Sequence, residues 1–144
     1  MTTLDYRISD QLAVEDFWVL DEAVRSVYGF KTPLVRTVTS KQTDLPYAVW
    51  PDFTIVGLTN QSHWTSPADI WVSPHYPFNH HELISTMVHE LAHAYIGVQY
   101  QHEEPWVNLM CSAFDKLAGW GWRRDAVLLM KKGQMRLHEE GKMK

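Results

Sequence analysis

Cysteine is scarce in this chain and long apolar runs are missing, and both shortages limit what the protein can be. Cys111 is the single cysteine among 144 residues, which excludes an intramolecular disulfide and a zinc site built from several cysteines. No apolar stretch approaches the roughly 18 residues needed to span a bilayer. The N-terminal sequence M-T-T-L-D-Y-R-I-S-D also has no apolar segment of the kind found in secretory signals. We therefore expect a cytoplasmic protein with no membrane partner.

Positive charge is scarce over most of the chain and concentrated near its end. Residues 1–122 carry six basic and fourteen acidic side chains, whereas residues 123–144 carry seven basic and three acidic ones. An acidic body is a poor surface for binding nucleic acid. The basic segment has two interpretations, either a solvated helix face or a surface that contacts DNA or another acidic partner.

Length and composition predict one domain spanning residues 1–144, because 45% hydrophobic residues in a chain of this length suffice for a single core. Helical spacing of apolar residues predicts a first helix over residues 9–28, capped by Ser9 or Asp10, with charged residues such as Asp21 facing solvent. Runs of β-branched and aromatic residues then predict short strands at 34–38, 47–50, 53–58 and 70–73. This order of elements predicts an α+β fold.

The last of these strands is a candidate peptide-binding element. At the edge of a sheet, Asp69–Ser73 would offer unpaired backbone amides to which an extended peptide can add as another strand. An internal strand without substrate contact is an equal alternative, because periodicity does not reveal the order of strands in a sheet.

Residues 79–96 show a strong helical pattern. Asn79, with Glu82 three residues later, is typical of a helix start in which the two residues cap each other. Apolar residues then recur every three or four positions, and no proline or glycine intervenes before Gly97. The sequence therefore predicts a buried helix, in which side-chain directions are fixed.

This helix contains the sequence V-H-E-L-A-H-A at residues 88–94. His89 and His93 are four residues apart, so their imidazoles leave one face of the helix and can bind one metal ion. Zinc accepts imidazole nitrogen readily and, with three protein ligands, keeps a fourth position for water. Glu90 is the candidate general base, which takes a proton from water and returns it to a leaving amine.

His102 is the candidate third ligand. Pro105 after acidic residues predicts the start of another helix, and apolar residues at helical spacing continue through residues 106–117. Packing of this helix against the preceding one would bring His102 back towards the first two histidines. Glu103 and Glu104 are the alternative, because zinc sites with two histidines and one glutamate also occur.

Four further histidines are left out of the candidate site. His80 and His81 fall in the first turn of the metal helix, about two turns or more from His89. His63 and His75 lie in predicted loops, and the sequence does not fix the course of those loops.

These motifs resemble the SprT-like zinc metallopeptidases, a family that includes the bacterial SprT proteins and the protease domain of Spartan. The resemblance rests on H-E-L-A-H at 89–93, on His102 with the aromatic Trp106 four residues later, and on the apolar run that follows. It implies DNA-associated proteins as substrates, Glu90 as the catalytic base, and one zinc ion held by His89, His93 and His102. The spacer before His102 is shorter than is usual in the family. The cysteine zinc ribbon of bacterial members is not part of this sequence, so its functions are not implied.

Residues and resemblance together predict a zincin-like single domain. Its elements are an N-terminal helix, a small mixed sheet, the HExxH metal helix and supporting C-terminal helices, the last of them in the basic segment 123–144. The predicted function is hydrolysis of peptide bonds in a protein or peptide substrate with one zinc ion. The alternative is a zinc-stabilised binding or regulatory domain with the same fold and little catalysis. Glu90 favours the peptidase, since a purely structural zinc site needs no base.

Overall fold

Four α-helices and a mixed four-stranded sheet make up the computed structural model, which describes residues 4–8, 10–41, 56–74 and 79–141 of a single small domain. The helices are α1 (Val14–Ser26), α2 (His80–Ile96), α3 (Glu104–Gly119) and α4 (Arg124–Glu139). The strands are β1 (Asp5–Tyr6), β2 (Val35–Thr39), β3 (Gly57–Gln61) and β4 (Ala68–Val72). The predicted α+β class is confirmed. The predicted strand at 47–50 and the first part of the one at 53–58 lie outside the described residues.

The sheet has the strand order β1-β2-β4-β3. β1, β2 and β4 are parallel, whereas β3 runs antiparallel to β4, with Gly57 opposite Val72. Of the two alternatives for Asp69–Ser73, the edge strand is wrong and the internal strand is observed, because β4 is paired on both sides and all its residues are buried. The short connection 62–67 folds β3 and β4 into a hairpin, so β3 takes the outer position.

The core forms where α2 meets the other elements. α2 packs against α1, α3, α4 and β3, and this central position explains why its sequence is apolar around most of its circumference. One buried cluster joins the sheet to α1 and α2. It includes Val38, Ile70, Phe17, Leu20, Met87 and Leu91. Each such side chain stabilises the fold by about 1.5–3 kcal/mol when fully buried. The H-E-L-A-H sequence therefore lies on the element at the centre of the packing.

The start of α1 differs from the prediction. The helix begins at Val14 with no side-chain cap. Of the two predicted caps, Ser9 lies outside the described residues and Asp10 sits in a turn before the helix. The helix ends at Ser26, and Gly29 follows with a φ of 75°, a conformation that glycine commonly adopts just after a helix.

Asp21 on α1 was predicted to face solvent, and this prediction is wrong. Its side chain is 0% exposed. Its carboxylate accepts hydrogen bonds from Arg25 Nε at 2.8 Å and from the Tyr95 hydroxyl at 2.6 Å. Burial raises the pKa of Asp21, and the hydrogen bonds from Tyr95 and Arg25 oppose that rise. The deciding partner, Tyr95, belongs to α2, and spacing within α1 cannot reveal it.

α4 packs against α3 and α2 and carries much of the basic segment. Lys131 Nζ lies 2.8 Å from Asp115 of α3, and Arg123 at the start of α4 lies 3.5 Å from Asp16 of α1. Partly exposed pairs such as these each contribute about 0–1 kcal/mol. Part of the charge asymmetry is thus balanced within the chain. Across the described ranges, no helix combines the length and apolar character needed to cross a membrane.

Candidate metal centre

α2 starts where the sequence predicts. Asn79 Oδ1 accepts a hydrogen bond from the backbone N–H of Glu82 at 2.8 Å, and Asn79 Nδ2 donates to Glu82 Oε1 at 2.6 Å. The helix then continues without a break through His89, Glu90 and His93. His89 is 8% exposed and Glu90 is 3% exposed, so both side chains are held inside the protein.

A short turn that includes a 3₁₀-helix at Val98–Tyr100 carries the chain from α2 to α3 and presents the third histidine. Gly97 ends α2 with a φ of 105°, and Gln101 also has a positive φ, of 49°. Glycine adopts positive φ without strain, whereas a residue with a Cβ such as Gln101 does so at a cost. Backbone hydrogen bonds from Tyr100 to Gly97 and from Glu103 to Tyr100 close the turn. His102 is thereby turned back towards α2.

The three histidines converge through their Nε2 atoms. His102 Nε2 lies 3.1 Å from His89 Nε2 and 3.2 Å from His93 Nε2. Glu103 and Glu104 are exposed at the start of α3. In the described part of the chain, these three histidines form the group of side chains that could hold a metal ion. Their ligand atoms all lie within 4.8 Å of one another. The geometry therefore favours His102 over either glutamate as the third ligand.

Trp106 forms the inner wall of this cluster. Its ring stacks on His93 with centroids 5.0 Å apart, and it meets the edges of His89 and His102 at 4.6 and 4.8 Å. Its Nε1 donates a hydrogen bond to the backbone oxygen of His89 at 3.2 Å. The aromatic residue four positions after His102 thus packs against all three imidazoles and restricts their motion.

The donor set fits a bound cation. His89 Nδ1 lies 3.1 Å from the acceptor Gln134 Oε1, so Nδ1 carries the proton and Nε2 of His89 presents a lone pair. His102 Nε2 has short contacts with the Nε2 atoms of both His89 and His93. One proton on His102 Nε2 can form a hydrogen bond to only one of them, so at least one contact would bring two nitrogen lone pairs together unless a cation lies between them. Nitrogens bound to zinc at about 2.0–2.1 Å in tetrahedral geometry lie about 3.3 Å apart, close to the observed separations.

The pKa values of the three histidines agree with this interpretation. Burial lowers the pKa of His89 to about 4, although the hydrogen bond with Gln134 acts in the opposite direction. Burial lowers the pKa of His93 as well, with additional repulsion from His89 and His102. The pKa of His102 is also lowered, mainly by burial. All three imidazoles are therefore neutral at pH 7, which is the form that binds metal ions.

Glu90 lies beside the cluster with its carboxylate fixed from β3. The Thr59 hydroxyl is 2.8 Å from Glu90 Oε1 and 2.9 Å from the backbone oxygen of Glu90, and it can donate to either. Glu90 Oε2 lies 3.9 Å from His89 Nε2. Gly57 leaves room for this oxygen, because a Cβ at position 57 would come within 2.8 Å of it. Burial raises the pKa of Glu90 to about 8, and a cation bound nearby would lower that pKa.

Several residues of this site were missed by reasoning from sequence. Thr59 and Gly57 come from β3, while Gln134 and His138 come from α4. His138 Nε2 lies 3.1 Å from the backbone oxygen of His102. Gln134 and His138 are four residues apart and therefore lie on one face of α4. This spacing was the one sequence feature that linked the two residues to each other. Their partners are 45 and 36 residues away in the chain, so the contacts themselves could not be predicted.

The four histidines that the sequence analysis left out of the site are not part of the cluster among the described residues. His63, His80 and His81 are exposed and do not belong to the three-histidine cluster, and His75 lies outside the described residues. Tyr95, on the same helix as His89 and His93, is bound in the core through the hydrogen bond from its hydroxyl to Asp21.

An open cleft of about 550 Å³ runs between α2 and α4 next to the three-histidine cluster. Its walls include Thr86 and Gln134, and apolar side chains such as Leu129, Met130 and Leu137. Gln134 links the cleft to His89 directly.

Comparison with protein-family models, with curated proteins and with solved structures finds no match to this chain.

Proposed function

We propose that this chain is a zinc-dependent peptidase of zincin-like architecture, similar to the SprT-like metallopeptidases. The observation that carries the proposal is the convergence of three imidazole Nε2 atoms, with the buried carboxylate of Glu90 3.9 Å from His89 Nε2. Three ligands leave a fourth position of tetrahedral zinc for water or substrate, whereas structural zinc sites fill all four. A carboxylate such as Glu90 beside this open position can act as a general base, a role that a purely structural zinc site does not need.

His89, His93 and His102 would hold the ion. When bound, zinc supplies Lewis-acid chemistry, which polarises a carbonyl group and lowers the pKa of water to about 7. Glu90 takes the proton of the attacking water and then donates it to the nitrogen of the leaving amine. Glu90 Oε1 lies within hydrogen-bond distance of the Thr59 hydroxyl, whereas Oε2 lies on the side of His89, so we assign the proton exchange to Oε2.

β3 offers a way to align a peptide with this base. It is the outer strand of the sheet in the described ranges, and two of its residues, Gly57 and Thr59, approach the Glu90 carboxylate. An extended peptide that added to this edge as a further strand would pass beside Glu90. β3 therefore takes the role that the sequence had suggested for Asp69–Ser73.

The proposal is tested by measuring zinc content and proteolysis on the same preparations. We expect about one zinc per chain in the wild type and in Glu90→Gln, and strong loss of zinc in His102→Ala. The wild type should cleave an unfolded protein such as casein, and Glu90→Gln should be slower by at least about 100-fold, because general acid–base catalysis contributes about 10²–10⁴-fold. The screen includes a histone with and without DNA, since the family resemblance implies DNA-associated substrates.

Two results would count against the peptidase. The first is a wild-type protein that binds zinc but cleaves no substrate, together with a Glu90→Gln variant that behaves like the wild type in cells. This result would favour the zinc-stabilised binding domain. Failure of every form to take up zinc removes the basis for both functions.

A further inference from the structure

α4 contacts two of the three candidate ligands from outside the ligand-bearing segment. Gln134 Oε1 accepts a hydrogen bond from His89 Nδ1 at 3.1 Å, and His138 Nε2 donates to the backbone oxygen of His102 at 3.1 Å. Gln134 and His138 are one helical turn apart, so they leave the same face of α4. One helix thus touches both the helix that carries His89 and the turn that carries His102.

The amide of Gln134 is held in one orientation. Its Nε2 donates a hydrogen bond to Ser85 Oγ at 2.9 Å, and Ser85 precedes His89 by one turn of α2. The amide oxygen is thereby directed to His89 Nδ1, which fixes the tautomer and the ring angle of His89. Outer partners of this kind orient metal-binding histidines and raise their basicity.

The turn that carries His102 needs a support of this kind. It contains Gln101 at a positive φ of 49°, a backbone conformation that costs free energy for a residue with a Cβ. The hydrogen bond from His138 fixes the backbone of His102 directly. Without that contact, the turn is free to relax and to move His102 away from His89 and His93.

The docking of α4 does not depend on these polar contacts. Val127 and Met130 of α4 are buried in the core, and Met135 packs against Cys111 of α3 with the two sulfur atoms 3.3 Å apart. Substitution of Gln134 or His138 should therefore leave the helix in place. This separation makes the role of the two side chains testable in folded protein.

We propose that Gln134 and His138 form a brace on α4 that positions His89 and His102 for metal binding before the metal arrives. They act through the ligands and are positioning residues. The inference rests on the metal centre of the proposed function and is independent of whether the protein cleaves peptides.

The test measures zinc affinity by competition with a chromophoric chelator for the wild type, Gln134→Leu, Gln134→Glu and His138→Phe. Lys132→Ala, on an exposed position of the same helix, is the matched control. Loss of an outer partner of a ligand typically weakens metal binding about 10- to 100-fold, and we expect this range for Gln134→Leu. His138→Phe should also weaken binding, while Gln134→Glu, which still accepts from His89, should bind at least as tightly as the wild type.

Two further readouts separate positioning from general destabilisation. The melting temperature of the metal-free protein should be similar in Gln134→Leu and Lys132→Ala, and the visible spectrum of the Co²⁺-substituted protein should change only in the brace variants. Zinc affinities of Gln134→Leu and His138→Phe within twofold of the wild type would overturn the brace and leave the metal centre standing. A wild type that binds neither Zn²⁺ nor Co²⁺ would refute the brace together with the proposed function.

Discussion

Replacing Gly57 with alanine should displace the candidate base without contacting any of the three candidate metal ligands. The new Cβ would lie 2.8 Å from Glu90 Oε2, 3.0 Å from the Thr86 methyl group and 3.2 Å from Glu90 Cδ. Gly57 does not have a positive φ, so alanine suits the backbone and the effect comes from crowding alone. The Glu90 carboxylate is buried and held by Thr59, and it therefore has little room to move aside.

The size of the effect follows from the displacement. Ordinary contact with a Cβ begins near 3.4 Å, so Glu90 Oε2 must shift by about 0.6 Å from its present 2.8 Å. A misplacement of about 1 Å can cost about 100-fold in rate. We expect kcat/KM to fall about 10-fold, which corresponds to ~1.4 kcal/mol, with zinc content unchanged. Crowding should also cost about 1–3 kcal/mol of folding free energy.

The assay compares kcat/KM on the substrate found by the proteolysis screen with zinc per chain in the same sample. Gly119→Ala is the matched control, because no atom lies within 4 Å of the Cβ that it would add. If Gly57→Ala keeps wild-type kcat/KM at full zinc content, then Glu90 does not act from the position seen here, and the assignment of Oε2 as the proton-exchanging oxygen is wrong.

Three further predictions concern the surroundings of the site. Tyr95→Phe removes the hydrogen bond to Asp21 and should cost about 1.5–3 kcal/mol. Because the folded-state pKa of Asp21 is raised, its contribution to stability is present below about pH 4 and is lost as pH rises through the folded pKa. Tyr95→Phe raises that pKa further, so urea unfolding should show a larger deficit at pH 7 than at pH 4, unlike the exposed control Tyr28→Phe. The metal-free protein should lose stability as pH falls from about 6.5 to about 4, because His89 has a depressed folded pKa; a melting temperature independent of pH there would contradict this. Thr59→Val should keep its zinc but lower kcat, since the carboxylate of the candidate base loses its hydrogen bond, and an unchanged kcat would count against that role.

The parts of the site that depend on local spacing could be predicted from the sequence. Asn79 caps α2 because its side chain reaches an amide three residues away, and His89 and His93 share a face because they are four residues apart. The return of His102 required only a short turn and a second packed helix. Each of these predictions concerns residues close together in the chain. Over such short separations, the helix geometry largely determines where the side chains lie relative to one another.

The parts that depend on long-range packing could not be predicted. The order of strands in the sheet determines that β3, rather than Asp69–Ser73, is the edge, and no periodicity encodes that order. Asp21 is buried because Tyr95, 74 residues away, supplies a hydrogen bond. Gln134 likewise becomes part of the site through a partner 45 residues away. Sequence patterns identify which faces are apolar, and they do not identify which distant element covers each face.

The short segment between α2 and α3 has a consequence for the order of folding. His89, Glu90, His93 and His102 all lie within residues 89–102, and a loop of about 10 residues closes in about 10–100 ns. Contacts with β3 and α4 span 31 and 45 residues, and such non-local contacts form more slowly. The three imidazoles can therefore approach one another as soon as α2 and α3 pack together. During synthesis β3 emerges before α2, so Thr59 is already present when Glu90 is made, whereas Gln134 reaches His89 only after α4 has been synthesised. The histidine cluster thus takes shape in two stages, and the second stage depends on α4.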